Sequence, residues 1–243
     1  MTPADLETRL QEFGLHLRGV LQATDDEKKS LQVDGEVSIA LVGNTGSSYW
    51  PVFIQSPEYQ DGLPDALDRW SRGVAEQLAD EFGAAAVYPF EGPPYLPFLQ
   101  WAKRAELLSQ SRMGLMIHPQ YGLWHSYRFA LLIPGMQVPE QQVIAMQSPC
   151  ESCKTQACLN TCPVGAFDAN GYDVDSCAAY LKQTPDARCH KEGCLARLAC
   201  PVGVAYQYDS AQHVFHLRAF LAARWKTNAA AATATPRSSY GNR

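Results

Sequence analysis

The segment from residue 150 to residue 163 reads Cys150-Glu-Ser-Cys153-Lys-Thr-Gln-Ala-Cys158-Leu-Asn-Thr-Cys162-Pro163. It opens a short region, closed by Cys200, that holds all eight cysteines of a 243-residue chain. A disulfide-stapled secreted protein usually spreads its cysteines over the fold and needs an export signal. Residues 1–26 are acidic and lack the basic stretch and apolar core of such a signal. We therefore expect a cytoplasmic protein whose cysteines bind metal.

The spacing of these cysteines points to iron–sulfur clusters. In the bacterial ferredoxin pattern C-x2-C-x2-C-x3-C-P, three close thiolates hold one cluster, and the cysteine before proline ligates the other. Here the middle gap is two residues longer, while the x3-Cys-Pro ending is intact. The run from Cys158 to Gly165 recurs loosely from Cys194 to Gly203, and both runs end in Cys-Pro-Val-Gly. This repeat predicts a second cluster.

Two [4Fe–4S] clusters need eight thiolates, which is the number present. Crossed ligation assigns to the first cluster Cys150, Cys153, Cys158 and Cys200. It assigns to the second cluster Cys162, Cys177, Cys189 and Cys194. Four-cysteine zinc sites usually come as paired C-x2-4-C knuckles, of which only one half is present. Zinc and unligated cysteines remain the alternatives.

The cysteine segment resembles the dicluster module of epoxyqueuosine reductases, to which that of reductive dehalogenases is related. The resemblance is carried by residues 162–167 (Cys-Pro-Val-Gly-Ala-Phe), residues 177–181 (Cys-Ala-Ala-Tyr-Leu), a following cysteine pair and Cys200-Pro201. It implies that Cys177 is a cluster ligand. The gaps after Cys153, Cys189 and Cys194 are longer than in that module.

The first two-thirds of the chain alternates predicted helices and strands. Helical spacing from Thr2 through Leu21, and again from Pro64 to Gly83, predicts two amphipathic helices, with a third at residues 98–108. Apolar runs predict strands at residues 37–42, 85–88, 114–117 and 125–133. Residues 25–29 are expected to form a solvated loop, and residues 211–225 a closing helix. This alternation indicates an α+β or α/β layer structure.

One stretch in this part is similar to the signature of a cobalamin-processing family, the family defective in methylmalonic aciduria with homocystinuria, type C. The stretch comprises residues 117–124 (Ile-His-Pro-Gln-Tyr-Gly-Leu-Trp), Arg128, and residues 131–140 (Leu-Leu-Ile-Pro-Gly-Met-Gln-Val-Pro-Glu). Leu123 replaces a glycine of the family pattern.

The resemblance implies a nitroreductase-like α+β sandwich that binds cobalamin, with His118 near the corrinoid. The residues that it nominates for cofactor binding are His118, Gly122, Trp124 and Arg128. Read without it, a histidine at a strand end is more often a structural hydrogen bonder than a cofactor contact, and Arg128 would be satisfied equally by a cofactor phosphate or by a structural carboxylate. Because the two flank one turn, we expect His118 and Arg128 to line a single cavity. No catalytic acid or base is nominated.

We expect three segments along the chain: a corrinoid-type domain at residues 1–148, a bacterial ferredoxin-like module with two [4Fe–4S] clusters at residues 149–226, and a mobile tail at residues 227–243. The net charge of −5 offers no basic field for DNA, and no run of about 18 apolar residues predicts a membrane span.

The favoured function is an iron–sulfur oxidoreductase that passes electrons to a cofactor, with a corrinoid first, or to a substrate. Its electron donor would be a reductase, or reduced ferredoxin or flavodoxin. A ferredoxin-like carrier whose first domain docks a partner, and a corrinoid-handling chaperone without turnover, are the alternatives. The first domain is larger than a carrier needs, since about 60 residues suffice for two clusters.

Overall fold

The computed structural model describes residues 2–138, 147–168 and 171–233, the last nine of these by their backbone alone. Val138 is therefore the last described residue of the signature stretch, and Pro139 and Glu140 lie outside the described residues. The helices are α1 (Pro3–Gln11), α2 (Asp25–Leu31), α3 (Trp50–Phe53), α4 (Pro57–Gln60), α5 (Ala66–Phe82), α6 (Phe98–Ala105), α7 (Pro149–Ser152), α8 (Ala157–Asn160), α9 (Val174–Gln183), α10 (Arg188–Glu192), α11 (Leu195–Leu198), a 3-10 turn (Val204–Tyr206) and α12 (Ser210–Thr233). The strands are β1 (His16–Gln22), β2 (Val37–Thr45), β3 (Ala85–Val87), β4 (Ser109–Gln110), β5 (Met116–Ile117), β6 (His125–Pro134), β7 (Phe167–Asp168) and β8 (Gly171–Tyr172).

The chain forms two compact units, and each is interrupted in sequence. Unit 1 comprises residues 1–156 together with residues 200–208, and unit 2 comprises residues 157–199 together with residues 209–243. The sequence-based boundary at 148/149 differs from this division, because the chain returns to unit 1 at Cys200 before α12 begins. We name residues 200–208 the return segment.

Unit 1 is built on a four-stranded antiparallel sheet in the order β1-β2-β6-β3. One face of the sheet packs against α6 through a core that includes Ile39, Leu41, Trp101 and Leu132. Helix α5 packs against β6 and β3, with its own apolar stripe buried along its length. The chain is thus a mixed α+β protein, as the alternation of elements predicts.

The beginning of the chain differs from the sequence prediction. Thr2 caps α1 as expected, but the helix ends at Gln11, and the chain turns at Gly14, where φ is +65°. Leu17 and Leu21, which continue the helical spacing, lie in β1. Residues four apart also lie on one face of a regular strand, because side chains alternate with a period of two, so the pattern alone misassigned them.

Most other elements follow the sequence, with shifted ends. β2 continues through Thr45, three residues beyond its apolar run. Residues 25–31 form α2 instead of a solvated loop, because Thr24 and Glu27 make a reciprocal capping box. The closing helix α12 extends to Thr233, since the alanine-rich sequence after Trp225 favours helix. The rest of the predicted tail lies outside the described residues.

Two β-bulges flank the same residue of the central strand. Leu17 and Gly19 of β1 pair with Val42 and Leu41, which leaves Arg18 as the extra residue. Tyr127 and Phe129 of β6 pair with Gly43 and Val42, which leaves Arg128 as the extra residue. A bulge re-aims the side chain that it carries. Each bulge therefore sets the direction of an arginine.

Unit 2 is a set of short helices around a small apolar core. The core contains Leu181 of α9, Cys189 of α10 and Leu221 of α12, with Leu195 and Leu217 packed against it. Hairpin β7-β8 stacks the rings of Phe167 and Tyr172 at 4.5 Å. Among the residues that the structure describes, no helix is long and apolar enough to cross a membrane.

Candidate functional site

Unit 2 brings together the thiols of the four cysteines predicted to hold the second cluster. Burial raises the pKa of Cys177, and the nearby Cys162 and Cys189 raise it further. Burial also raises the pKa of Cys194, as do Cys177 and Cys189. The four thiols therefore lie within range of one another's charges.

Hydrogen-bond donors surround these thiols. Main-chain N–H groups stabilise the thiolate of Cys189 from Leu195, and that of Cys194 from Arg197. The main-chain N–H of Ala166 donates to Sγ of Cys162 at 3.4 Å. The Tyr172 hydroxyl donates to Cys177, which lowers that thiol's pKa against the effect of burial. N–H···S bonds stabilise the thiolate ligands of an iron–sulfur cluster and tune the reduction potential of the cluster. The chemistry of these four residues therefore fits a [4Fe–4S] cluster.

In the described part of the chain, no three His, Cys, Asp or Glu side chains form a group that could hold a metal ion. The choice of a cluster over zinc therefore stays a prediction from the cysteine pattern.

The four cysteines predicted for the first cluster are divided between the units. Cys150, Cys153 and Cys200 belong to unit 1, and Cys158 belongs to unit 2. Cys153 has a lowered pKa, because the main-chain N–H of Gln156 and the hydroxyl of Thr155 stabilise its thiolate. A thiolate is the form that binds metal. The joint ligation of this set stays a prediction.

In unit 1, His118 closes its own turn, residues 118–122, which we name the His118 turn. Its main-chain N–H and C=O bond with those of Gly122. Its ring Nδ1 accepts hydrogen bonds from the main-chain N–H groups of Gln120, at 3.1 Å, and Tyr121, at 3.2 Å. The imidazole also stacks on the Tyr121 ring at 4.3 Å. The ring orientation is therefore fixed by two hydrogen bonds at its Nδ1 edge and by one stacking contact on its face.

The return segment packs on the His118 turn. A Cβ on Gly122, where φ is +59°, would lie 2.0 Å from the carbonyl oxygen of Val202. A Cβ on Gly203 would lie 2.4 Å from the carbonyl oxygen of Tyr121. The Tyr206 ring meets the Tyr121 ring edge-on at 4.9 Å. Glycine is required at both positions, because only two bare backbones can approach this closely.

A buried ion pair lies beside the turn, and sequence analysis missed it. Arg18 donates from Nε and Nη2 to the Glu106 carboxylate at 2.8 and 2.9 Å, and from Nη1 to the carbonyl of Asn44 at 2.9 Å. The Tyr127 hydroxyl donates to the same carboxylate. Arg18 also lies over the Tyr121 ring, 5.0 Å from its centroid. The signal available in the sequence was an arginine followed by glycine inside an apolar run, which is typical of a bulge.

Burial governs the protonation of this cluster. It raises the pKa of Glu106, while the charge of Arg18 and the bond from Tyr127 oppose the shift. Burial and the Glu106 charge raise the pKa of Tyr127 far above its ordinary range. Burial also lowers the pKa of His118 to about 4, and the positive charge of Arg18 contributes to that shift. His118 is thus neutral at physiological pH.

Arg128 does not join His118, which corrects the expectation of one shared cavity. Its Nη1 lies 3.9 Å from the carboxylate of Asp68 in α5. Tyr127, the preceding residue, lies on the opposite face of the sheet in the core with α6. The bulge at Arg128 therefore directs it away from His118 and Arg18.

The two other nominated residues serve the packing of unit 1. Gly122 provides the close approach to the return segment, and Trp124 is fully buried with its ring 5.4 Å from that of Tyr208. Cofactor contact by Gly122 and Trp124 remains a prediction.

Comparisons with known proteins give distant structural neighbours. No protein-family profile matches the chain, and no curated protein matches it. A crystal structure of epoxyqueuosine reductase with an epoxyqueuosine-modified tRNA-Tyr stem loop aligns at 17% identity and a TM-score of 0.45, covering 86% of this chain and 68% of that one. Selenomethionine-labelled epoxyqueuosine reductase aligns at 17% identity and a TM-score of 0.44, covering 88% and 69%. Because the identity is only 17%, these alignments assign no role to individual residues of this chain.

Proposed function

We propose that the protein is an iron–sulfur oxidoreductase in which two [4Fe–4S] clusters pass electrons, one at a time, to a corrinoid bound by unit 1. The observation that carries this proposal is the group formed by Cys162, Cys177, Cys189 and Cys194 in unit 2, with hydrogen-bond donors directed at their sulfurs. Four thiols with N–H donors are what a cube requires of its protein.

The proposal assigns a separate task to each unit. The thiolates of unit 2 hold a cluster and set its potential through the N–H donors. Unit 1 supplies a fixed imidazole edge, a buried ion pair and aromatic rings at one place. The bound clusters supply one-electron transfer. A reduced electron carrier, such as a ferredoxin or flavodoxin, reduces the clusters again after each electron has passed to the corrinoid.

Metal content tests the cluster assignment. Anaerobically reconstituted protein should contain about eight iron and eight sulfide per chain. Cys177→Ser should lower the iron content to about half, and Cys153→Ser should do the same through the other predicted cluster. Mainly zinc in the wild-type protein, or about four iron after full reconstitution, contradicts the two-cluster assignment.

Cobalamin tests the acceptor. Protein with prereduced clusters, freed of reductant, is mixed anaerobically with aquocobalamin, and the cobalt and cluster absorbance bands are followed together. The proposal expects saturable binding, with loss of reduced cluster matched by gain of reduced cobalt. Binding without reduction indicates the chaperone function, and reduction without saturable binding indicates the carrier function.

A further inference from the structure

The His118 ring has one edge fully committed to the protein. Nδ1 has a single lone pair in the ring plane, and this pair faces two main-chain N–H donors, those of Gln120 and Tyr121. A hydrogen on Nδ1 would point at these two donors and repel them. Nδ1 is therefore unprotonated in the folded protein.

The state of the other nitrogen follows from the first. A neutral imidazole carries one hydrogen, so in this ring the hydrogen sits on Nε2. Arg18 lies near and disfavours a second proton on the ring. A metal ion binds an imidazole nitrogen through its lone pair, and in this tautomer Nε2 has no free lone pair. His118 is built as a hydrogen-bond donor and is unsuited to be a cobalt ligand.

We propose that His118, held as the Nε2–H tautomer by the backbone of its own turn, recognises its ligand by donating a hydrogen bond from Nε2 to an oxygen acceptor, such as an amide carbonyl or a phosphate, at the periphery of the ligand. The recognition role rests on the proposed function, since it takes a corrinoid as the ligand of unit 1. The tautomer does not depend on that function.

The surroundings of Nε2 suit an oxygen acceptor. Arg18 is 4% exposed and its guanidinium is bonded to Glu106, so it does not compete with His118 for the ligand. The Gln120 amide donates to the Tyr206 hydroxyl at 2.8 Å, which holds a second polar pair at the turn. The ligand group is therefore a hydrogen-bond acceptor, neutral or anionic, because Nε2 presents a hydrogen.

Two substitutions test the Nδ1 and Nε2 positions of the His118 ring separately. The side-chain oxygen of His118→Asn can occupy the Nδ1 position and keep the turn closed, but nothing reaches the Nε2 position. The amide of His118→Gln can reach the Nε2 position as a donor, but it leaves the turn unclosed. The probe is aquocobalamin, and its dissociation constant is measured anaerobically by absorbance on the full chain, with iron content as the check on folding.

The proposal expects His118→Asn to bind aquocobalamin about fivefold more weakly, the typical effect of one lost hydrogen bond, with unchanged iron content. It expects His118→Gln, which keeps a donor at the Nε2 position, to bind aquocobalamin more tightly than His118→Asn does, even though amide exchange at Tyr121 and Gly122 shows a less protected turn. If His118→Asn binds aquocobalamin as the wild type does while His118→Gln binds it more weakly, His118 serves turn closure alone. That result would overturn the recognition role.

Direct measurements check the chemistry. Long-range 1H–15N spectra of 15N-histidine-labelled protein should show the Nε2–H tautomer for the signal that His118→Asn removes, and the Nδ1–H tautomer overturns the proposal. Bound cob(II)alamin in 15N-labelled protein should show no doublet splitting from a protein nitrogen in its electron paramagnetic resonance spectrum. Such a doublet identifies a histidine–cobalt bond and refutes the inference.

The proposed function and the inference about His118 can be disproved separately. If wild-type protein with full iron content does not bind aquocobalamin, both the corrinoid part of the proposed function and the recognition role fall. If it binds and reduces aquocobalamin while His118 shows the Nδ1–H tautomer or the cobalt bond, only this inference falls.

Discussion

The buried polar groups of unit 1 are acids, bases and main-chain groups that bond to one another, whereas unit 2 gathers thiols that interact electrostatically. In unit 1, Glu106 receives three hydrogen bonds and the Nδ1 atom of His118 receives two. In unit 2, burial, and after it the neighbouring thiols, raise the pKa of Cys177 and Cys194. These shifts favour neutral thiols, so a metal must displace their protons when it binds. We therefore expect unit 1 to be stabilised by its own contacts and unit 2 to gain stability from a bound cluster.

Removal of iron should have the largest effect and should separate the two units. A protein site that gathers four thiolates gains much of its folding free energy from the metal. In the chelated full chain, we expect amide protection in α9, α10 and α11 to fall by more than about 100-fold, with β2 and β6 protected as before. Hydrogen exchange read by mass spectrometry measures this. Equal loss of protection in β2 and α9 would show that the units do not differ.

Breaking the buried ion pair should be the largest single effect within unit 1. Arg18→Met leaves the Glu106 carboxylate buried without its partner, which costs about 3–5 kcal/mol of unfolding free energy. Denaturant unfolding, followed by the exchange of β2 amides, measures it. The double variant Arg18→Met/Glu106→Gln should regain part of the loss, since no charge is left unpaired. A double variant as unstable as the sum of the singles would contradict a coupled pair.

The packing of the return segment on the His118 turn should give a smaller effect. Gly122→Ala places a Cβ against the Val202 carbonyl at a positive φ, and we expect about 2–4 kcal/mol of destabilisation. Gly135→Ala is the matched control, because φ is +66° there and no atom lies within 4 Å of the added Cβ. It should cost only about 1–2 kcal/mol, the backbone strain alone. Equal costs at the two positions would mean that the return segment yields freely.

The smallest effect concerns pH. The pKa of His118 is lowered to about 4 in the folded protein from 6.5 in the unfolded chain. The unfolded state therefore binds more protons between these values, and the contribution of His118 to stability is present above about 6.5 and lost as pH falls toward 4.

His118→Asn should flatten the pH dependence of β2 amide exchange between about pH 6.5 and 4.5, because asparagine does not titrate there. His213 in unit 2 has its pKa lowered to about 4 by burial and by Arg197, so α12 amides serve as the internal comparison. An unchanged slope in β2 for the variant would assign the pH dependence of unit 1 to other groups.

The sequence predicts what depends on local spacing. The mutual placement of Cys162, Cys177, Cys189 and Cys194 concerns short helices within 33 residues of one another. The capped start of α1 and the αL glycine at the end of α5 are also local signals. By contrast, the spacing of Leu17 and Leu21 fits both a helix and a strand, and only their pairing with β2 decides between them.

Contacts between distant segments could not be predicted. Arg18 meets Glu106 across 88 positions, and Gly122 meets Val202 across 80. Nothing near Arg18 in the sequence marks its partner. The direction of Arg128 depends on a bulge that forms only when β6 pairs with β2. The signature stretch identifies His118 as notable, but the tautomer comes from the backbone of the folded turn.

The return segment has a consequence for biosynthesis. Unit 1 takes residues 200–208 from beyond the insertion of unit 2, so a ribosome must release seven of the eight cysteines before it supplies the backbone that packs on the His118 turn. All four strands of the sheet also leave the ribosome before residue 200. The packing on the His118 turn is therefore the last part of unit 1 that translation can complete.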